Sequence, residues 1–168
     1  KHNDENAEDN CDGLDHNISW NCGFEGMTDD QHIREIRDRQ MKNFFAVLMI
    51  SQGTPMILSG DEVKFSKRGN NNTYGHDNER NWFNWKLVDT HREHFEFCKN
   101  MIHFRKQHPA LQREGFFTGI DQSQNNIPDI GWHGVDPHQP DWSEESHAVA
   151  FMIDGSMKET GADRDDNN

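Results

Sequence analysis

Basic residues are scarce: 17 Lys and Arg stand against 30 Asp and Glu, a formal net charge of −13 at pH 7. A surface of that sign repels phosphate backbones and anionic headgroups, so neither nucleic acid nor a membrane is an expected partner. Cysteine is sparse as well. Cys11, Cys22 and Cys98 are odd in number and lack the dense spacing of a disulfide scaffold, so reduced thiols and a cytoplasmic setting are expected. No apolar run approaches membrane-spanning length, and Lys1-His2-Asn3 opens no charged-then-apolar targeting pattern. Hydrophobic residues make up only 32% of the chain, which promises a thin core, yet eleven Phe and five Trp argue against wholesale disorder. This balance suits part of a larger folded protein.

Residues 1 to 30 are rich in Asn, Asp and Gly and read as a long polar loop. From His32 to about Ile50, Ile33, Ile36, Phe44, Val47 and Leu48 recur near helical spacing, with Asp29 or Asp30 as the cap. The stretch from Phe44 to Ile50 is apolar almost all round, as expected for a helix packed inside a larger structure and not on an open surface. Gly53-Thr54-Pro55 breaks it. Met56-Ile57-Leu58, ended by Ser59-Gly60, then suits a short buried parallel strand with Asp61 and Glu62 at its C-terminal end. A second helix is expected from His91 to Gln107, with Phe95, Cys98, Met101, Ile102 and Arg105 on one side and Pro109 beyond its end. Ile130 to His133 and Ala148 to Ile153 read as strands around the turn Asp136-Pro137-His138-Gln139-Pro140. A domain boundary falls near Arg113 to Phe117. No internal repeat is present.

Carboxylates at the C-terminal end of a strand face the active-site end of an α/β barrel, so Asp61 and Glu62 are candidate site residues. The plainer alternative is that they cap their own loop or accept its backbone hydrogen bonds. The following segment, Gly69-Asn70-Asn71-Asn72-Thr73-Tyr74-Gly75-His76-Asp77-Asn78, gathers amide, hydroxyl and aromatic groups on one loop. Sugars require that mixture, since amides and carboxylates pair with adjacent hydroxyls while an aromatic face covers the apolar side of the ring. An Asn-rich turn that tolerates left-handed backbone explains the composition equally well.

Metal binding is not expected. Glu8, Asn10, Asp12 and Gly13 imitate the start of a calcium loop, but its closing position holds Ser19 where a Glu is needed. His2, Cys11, His16 and Cys22 share a region without any zinc-ligand spacing. Arg34, Arg37 and Arg39 are interleaved with Glu35 and Asp38 and read as a mixed-charge helix face.

Five segments, KHNDENAEDNCDG, SWNCGFEG, RQMKNFFAVLMISQGTPMILSGDE, GNNNTYGHDN and MIHFRKQHPAL, resemble in this order the isoamylase and glycogen-debranching branch of the alpha-amylase superfamily. The resemblance is strong over residues 1 to 115, and Ile130 to Gly134 through Asp154-Gly155 looks like the start of that family's C-terminal β domain. It implies an α/β fold: residues 1–115 as the C-terminal part of a (β/α)8 TIM barrel, and 116–168 as the start of an all-β sandwich domain. The first helix would be the seventh of the barrel, Met56 to Leu58 the eighth strand, and the second helix the eighth.

The implied activity is hydrolysis of α-1,6 branch linkages in glycogen or starch-type glucans by a retaining mechanism, in which one carboxylate attacks the anomeric carbon and a protonated one assists the leaving oxygen. The resemblance implies that the nucleophile, the general acid and a third Asp all precede the segment matched by Lys1. No catalytic residue is therefore assigned, and the 168 residues alone are expected to be inactive. Asn71, Asn72, Tyr74, Asp77 and Asn78 fall on what resembles a substrate-binding rim, and Asp61 and Glu62 on a pair that shapes the site. The implied partners are a branched α-glucan (glycogen, amylopectin or limit dextrin) and the remainder of the same barrel, with no cofactor. Two alternatives stay open, a non-catalytic glucan-binding or regulatory homologue and a stand-alone acidic α+β domain.

Overall fold

The carboxylate of Asp30 starts the first helix. Its Oδ1 accepts the backbone N–H groups of His32 at 2.9 Å and Ile33 at 3.2 Å, satisfying two of the donors that every helix leaves orphaned at its N-terminus. In the computed structural model, which describes residues 11, 16, 18–70 and 72–156, this helix, α1, runs Gln31–Ile50. The chain divides into two units, Lys1–Met49 with Pro55–Ile102 and Ile50–Thr54 with His103–Asn168.

In the first unit, α1 buries Phe45 and Met49, four residues apart and therefore on one face. That face meets Cys98 of α3 (Arg92–Gln107), and Leu48, Phe97, Met101 and Ile102 pack around the contact. Phe45 and Phe97 meet edge to face, with ring centroids 6.5 Å apart. A one-turn helix, α2 (Lys86–Thr90), leads into α3. Within this chain Phe44 is 76% and Val47 58% exposed.

Met56-Ile57-Leu58 forms no strand. A parallel strand needs a neighbour to take its backbone N–H and C=O groups, and the segment has none among the described residues, so Met56 and Leu58 stay largely exposed. Directly after it the chain turns on Gly60, whose φ of +110° is one that L side chains rarely adopt, and enters the 3-10 turn Asp61–Val63. A Cβ at Gly60 would stand 2.7 Å from the Cβ of Phe65, so both backbone and space demand glycine.

The second unit holds a two-stranded antiparallel sheet, β1 (Ile130–His133) and β2 (Ala150–Ile153), with Trp132 opposite Phe151. The expected strands form, β2 two residues shorter at its start. Arg105 donates to the carbonyls of Ser51 and Gly53, each at 2.7 Å, so its place on the apolar side of the second helix serves carbonyls left unpaired where the first helix ends. Asp129 anchors the turn before β1: its carboxylate accepts from the N–H of Thr118 at 2.9 Å, the N–H of Gly119 at 2.7 Å and the Arg113 guanidinium at 3.1 Å.

Candidate functional site

The loop after Gly60 is organised by side-chain amides. Asn81 lies at its centre: Nδ2 donates to the carbonyls of Thr73 and His76, both at 2.7 Å, and Oδ1 accepts from Lys67 at 2.8 Å. Asn70 Oδ1 accepts the N–H of Asn72 at 2.9 Å, and Asn78 Oδ1 that of Arg80 at 3.0 Å, both two-residue Asx turns. Asp77 accepts the indole N–H of Trp82 at 2.8 Å. Tyr74 is 94% exposed, and its N–H donates to Asn72 Oδ1 at 3.4 Å. Asn71 lies outside the described residues, as do His2, Glu8, Asn10, Asp12 and Gly13 of the metal-like patterns.

Asp61 and Glu62 are engaged with their own turn. Asp61 Oδ2 accepts the N–H of Leu58 at 3.1 Å and Glu62 Oε2 that of Gly60 at 2.9 Å. The plainer alternative for this pair is thus what the geometry contains. Among the described residues, no cluster of three or more His, Cys, Asp or Glu side chains is placed to hold a metal ion, and no helix is long and apolar enough to cross a membrane.

Beside this loop the first unit opens into a cavity of about 1670 Å³. Its walls come from the 19–27 segment, α1, the Asp61–Asn70 stretch and α3, with Trp20, Phe44 and Phe65 giving apolar surface and Asp61, Asn70 and His94 polar surface. Asn72, Tyr74, Asp77 and Asn78 are not among its walls. Arg37, read in the sequence as part of a mixed-charge helix face, ties down the cavity's rim: it donates to the carbonyls of Gly26 at 2.7 Å, Asn21 at 3.0 Å and Phe24.

His94, 2% exposed, lies within hydrogen-bond reach of the Asp61 carbonyl, with Nε2 3.2 Å from that oxygen. A carbonyl only accepts, so the ring carries its proton on Nε2 and leaves Nδ1 bare. Burial holds the His94 pKa below the ordinary 6.5, assisted by the charge on Lys64, against the opposing pull of the Asp61 carbonyl. Cys98 Sγ sits 3.6 Å from the same Nε2. Burial, then the charges of Glu62 and Asp61, push its thiol up to about 11.

The sequence reading singled out neither His94 nor Asn81. A histidine on an otherwise ordinary helix and an Asn beyond the Asn-rich run carry no signal in spacing. Their roles arise from contacts across 33 residues for His94 and with backbone carbonyls for Asn81.

No protein-family model matches the chain. Curated relatives do. Isoamylase 1, chloroplastic, of Arabidopsis thaliana is 45% identical over 159 residues, covering 94% of this chain and 19% of that protein. The glycogen debranching enzyme of Pectobacterium atrosepticum is 38% identical over 155 residues, covering 92% and 23%. Among solved structures, a pullulanase from Bacillus acidopullulyticus aligns with a TM-score of 0.46 and 31% identity, covering 51% of this chain and 10% of that one. The chain is a relative of the isoamylases and glycogen debranching enzymes along nearly its whole length, as its five motif segments implied. It spans about a fifth of the length of these relatives.

Proposed function

We propose that this chain belongs to the catalytic region of a glycoside hydrolase that cleaves α-1,6 branch linkages in glycogen or a starch-type glucan. The observation that carries the reading is the 45% identity, over 94% of the chain, to a protein named for isoamylase activity. In this reading residues 1–115 form the C-terminal part of a (β/α)8 barrel and 116–168 begin a β-sandwich domain. Met56 to Leu58 would become the eighth barrel strand once neighbouring strands pair with its backbone.

The two carboxylates of a retaining mechanism are not assigned to Asp61 and Glu62, whose oxygens serve backbone N–H groups. Those residues instead shape the floor of the site by fixing the turn at Gly60. Asn71, Asn72, Tyr74, Asp77 and Asn78 form the rim that meets the branched α-glucan. Cellular compartment follows the source, since one relative is named chloroplastic while the other comes from a bacterium. A cytoplasmic setting is the proposal for a bacterial source.

The test is reducing-end release from glycogen and amylopectin by the full-length protein, beside a variant carrying Asp77→Ala and Asn78→Ala. Release by the wild type that is weakened in the variant supports both the hydrolysis and the rim. Glycogen binding without any release would overturn the hydrolytic reading and leave a non-catalytic glucan-binding protein.

A further inference from the structure

Arg37 and Asp38 are neighbours on α1, and each holds a different loop to the helix. Arg37 donates through Nη1 to the carbonyl of Gly26 at 2.7 Å and through Nη2 to those of Asn21, at 3.0 Å, and Phe24. The 21–26 loop has no regular secondary structure, and Cys22, Gly23 and Gly26 have positive φ, at 60°, 102° and 80°. A left-handed residue other than glycine persists where its surroundings impose it, and Cys22 lies between two of the carbonyls that Arg37 draws in. A planar guanidinium fork suits that task, whereas an ammonium is a single point of charge. Asp38 meets Lys64 at 2.6 Å, where the chain leaves the Asp61–Val63 turn with Lys64 at a φ of 55°. The Asp38 side chain is 50% and that of Lys64 16% exposed, so solvent screens the pair and its gain in stability is small. Its geometric effect is larger: two segments far apart in sequence are fixed to consecutive residues of one helix.

We propose that Arg37 and Asp38 are positioning residues for the debranching reaction, which hold the 21–26 loop and the Asp61–Val63 turn in fixed register on α1. The proposal rests on the glucan reading above, in which that turn shapes the floor of the site, and adds to it two residues that act through the loops they hold. A loop released from its tether must be ordered again each time substrate binds, which weakens binding more than it slows bond breaking. The readout is therefore a rise in KM that outweighs any fall in kcat. Glu35 on the same helix supplies the control, because its Oε1 accepts from Gln31 at 2.8 Å, a contact within α1.

The experiment measures kcat and KM for reducing-end release from amylopectin by the full-length protein, with melting temperature, in the wild type, Arg37→Gln, Arg37→Lys, Asp38→Ala and Glu35→Gln. The expected result is a KM raised roughly three- to tenfold in Arg37→Gln and in Asp38→Ala, equivalent to about 0.7–1.4 kcal/mol. Arg37→Lys, which keeps the charge and loses the fork, should fall between Arg37→Gln and the wild type. Glu35→Gln should match the wild type. That pattern, with melting temperatures close to the wild type, supports the proposal, and should Arg37→Gln not fold, Arg37→Lys and Asp38→Ala decide it. Unchanged KM in these variants, whether or not they melt earlier, overturns the positioning role and leaves the glucan reading standing. An equal rise in Glu35→Gln overturns it too, because the effect then belongs to the charge of the helix. A wild type that releases no reducing ends overturns the glucan reading and the positioning role with it.

Discussion

Arg113 and Asp129 form a salt bridge with 3.1 Å between Nη1 and Oδ2, and their side chains are 8% and 1% exposed. Asp129 also gathers the N–H groups of Thr118 and Gly119, so one carboxylate fixes the turn ahead of β1. Breaking a buried pair by removing one partner leaves the other charge uncompensated, a cost of about 3–5 kcal/mol. Asp129→Ala is therefore expected to lower the melting temperature of the full-length protein markedly, and an unchanged melt would sink this account of the turn. Although burial pushes the Asp129 pKa upward, the Thr118, Gly119 and Arg113 donors outweigh it and hold the carboxyl below its ordinary 3.8. Its contribution is complete above that pH and is lost on further acidification.

Gly60→Ala tests the turn that presents Asp61 and Glu62. The substitution forces a methyl group to within 2.7 Å of the Phe65 Cβ at a φ of +110°. Left-handed strain at a non-glycine residue costs about 1–3 kcal/mol before the clash is counted. Loss of stability by thermal melt is the expected outcome. Should the variant melt like the wild type, Gly60 is not required by the turn.

Local chemistry was legible in the sequence and long-range chemistry was not. The Asp30 cap, the ends of α1 and α3 and both strands follow from spacing and turn residues, which act over a few positions. Met56 to Leu58 has the composition of a buried strand, but a strand exists only through its neighbours, and none is present among the described residues. At the site, the Asn-rich loop stood out by composition. Asn81 and His94, whose bonds organise that loop and the cavity wall, became visible only when the chain brought Thr73, His76 and Asp61 to them.

Asn81→Ala removes two amide bonds to loop carbonyls and the partner of Lys67 at once. Each buried acceptor left unpaired costs about 1–3 kcal/mol, although water can replace part of that near the surface. The 73–81 loop should then be cut faster by a protease, with cleavage sites located by mass spectrometry. Equal cleavage rates in variant and wild type would show that other contacts hold the loop.

The thiols differ in a way that alkylation can read. Cys98 is 1% exposed with its thiol pushed up to about 11, whereas Cys11 is exposed. At pH 7 a thiol of that pKa is ionised in roughly one molecule in ten thousand, and burial hinders access further. Iodoacetamide should modify Cys11 rapidly in the native protein and reach Cys98 only after urea is added. Early modification of Cys98 would show that the α1–α3 contact opens under native conditions.

Protonation of His94 is expected to oppose folding. Its pKa is held below 6.5 by burial, so the unfolded chain takes up a proton at a pH where the folded one does not. His91 shifts in the same direction, through burial and the charge of Lys64. Because the unfolded state then binds more protons, stability is highest above about pH 6.5 and declines as the pH drops through that value. Melting temperatures at pH 7.5 and 5.5 should show the decline in the wild type and a smaller one in His94→Gln. Asp129 and Asp154 contribute little to that interval, since their lowered pKa values place their titration below it. An equal decline in both proteins would assign the acid sensitivity to groups other than His94.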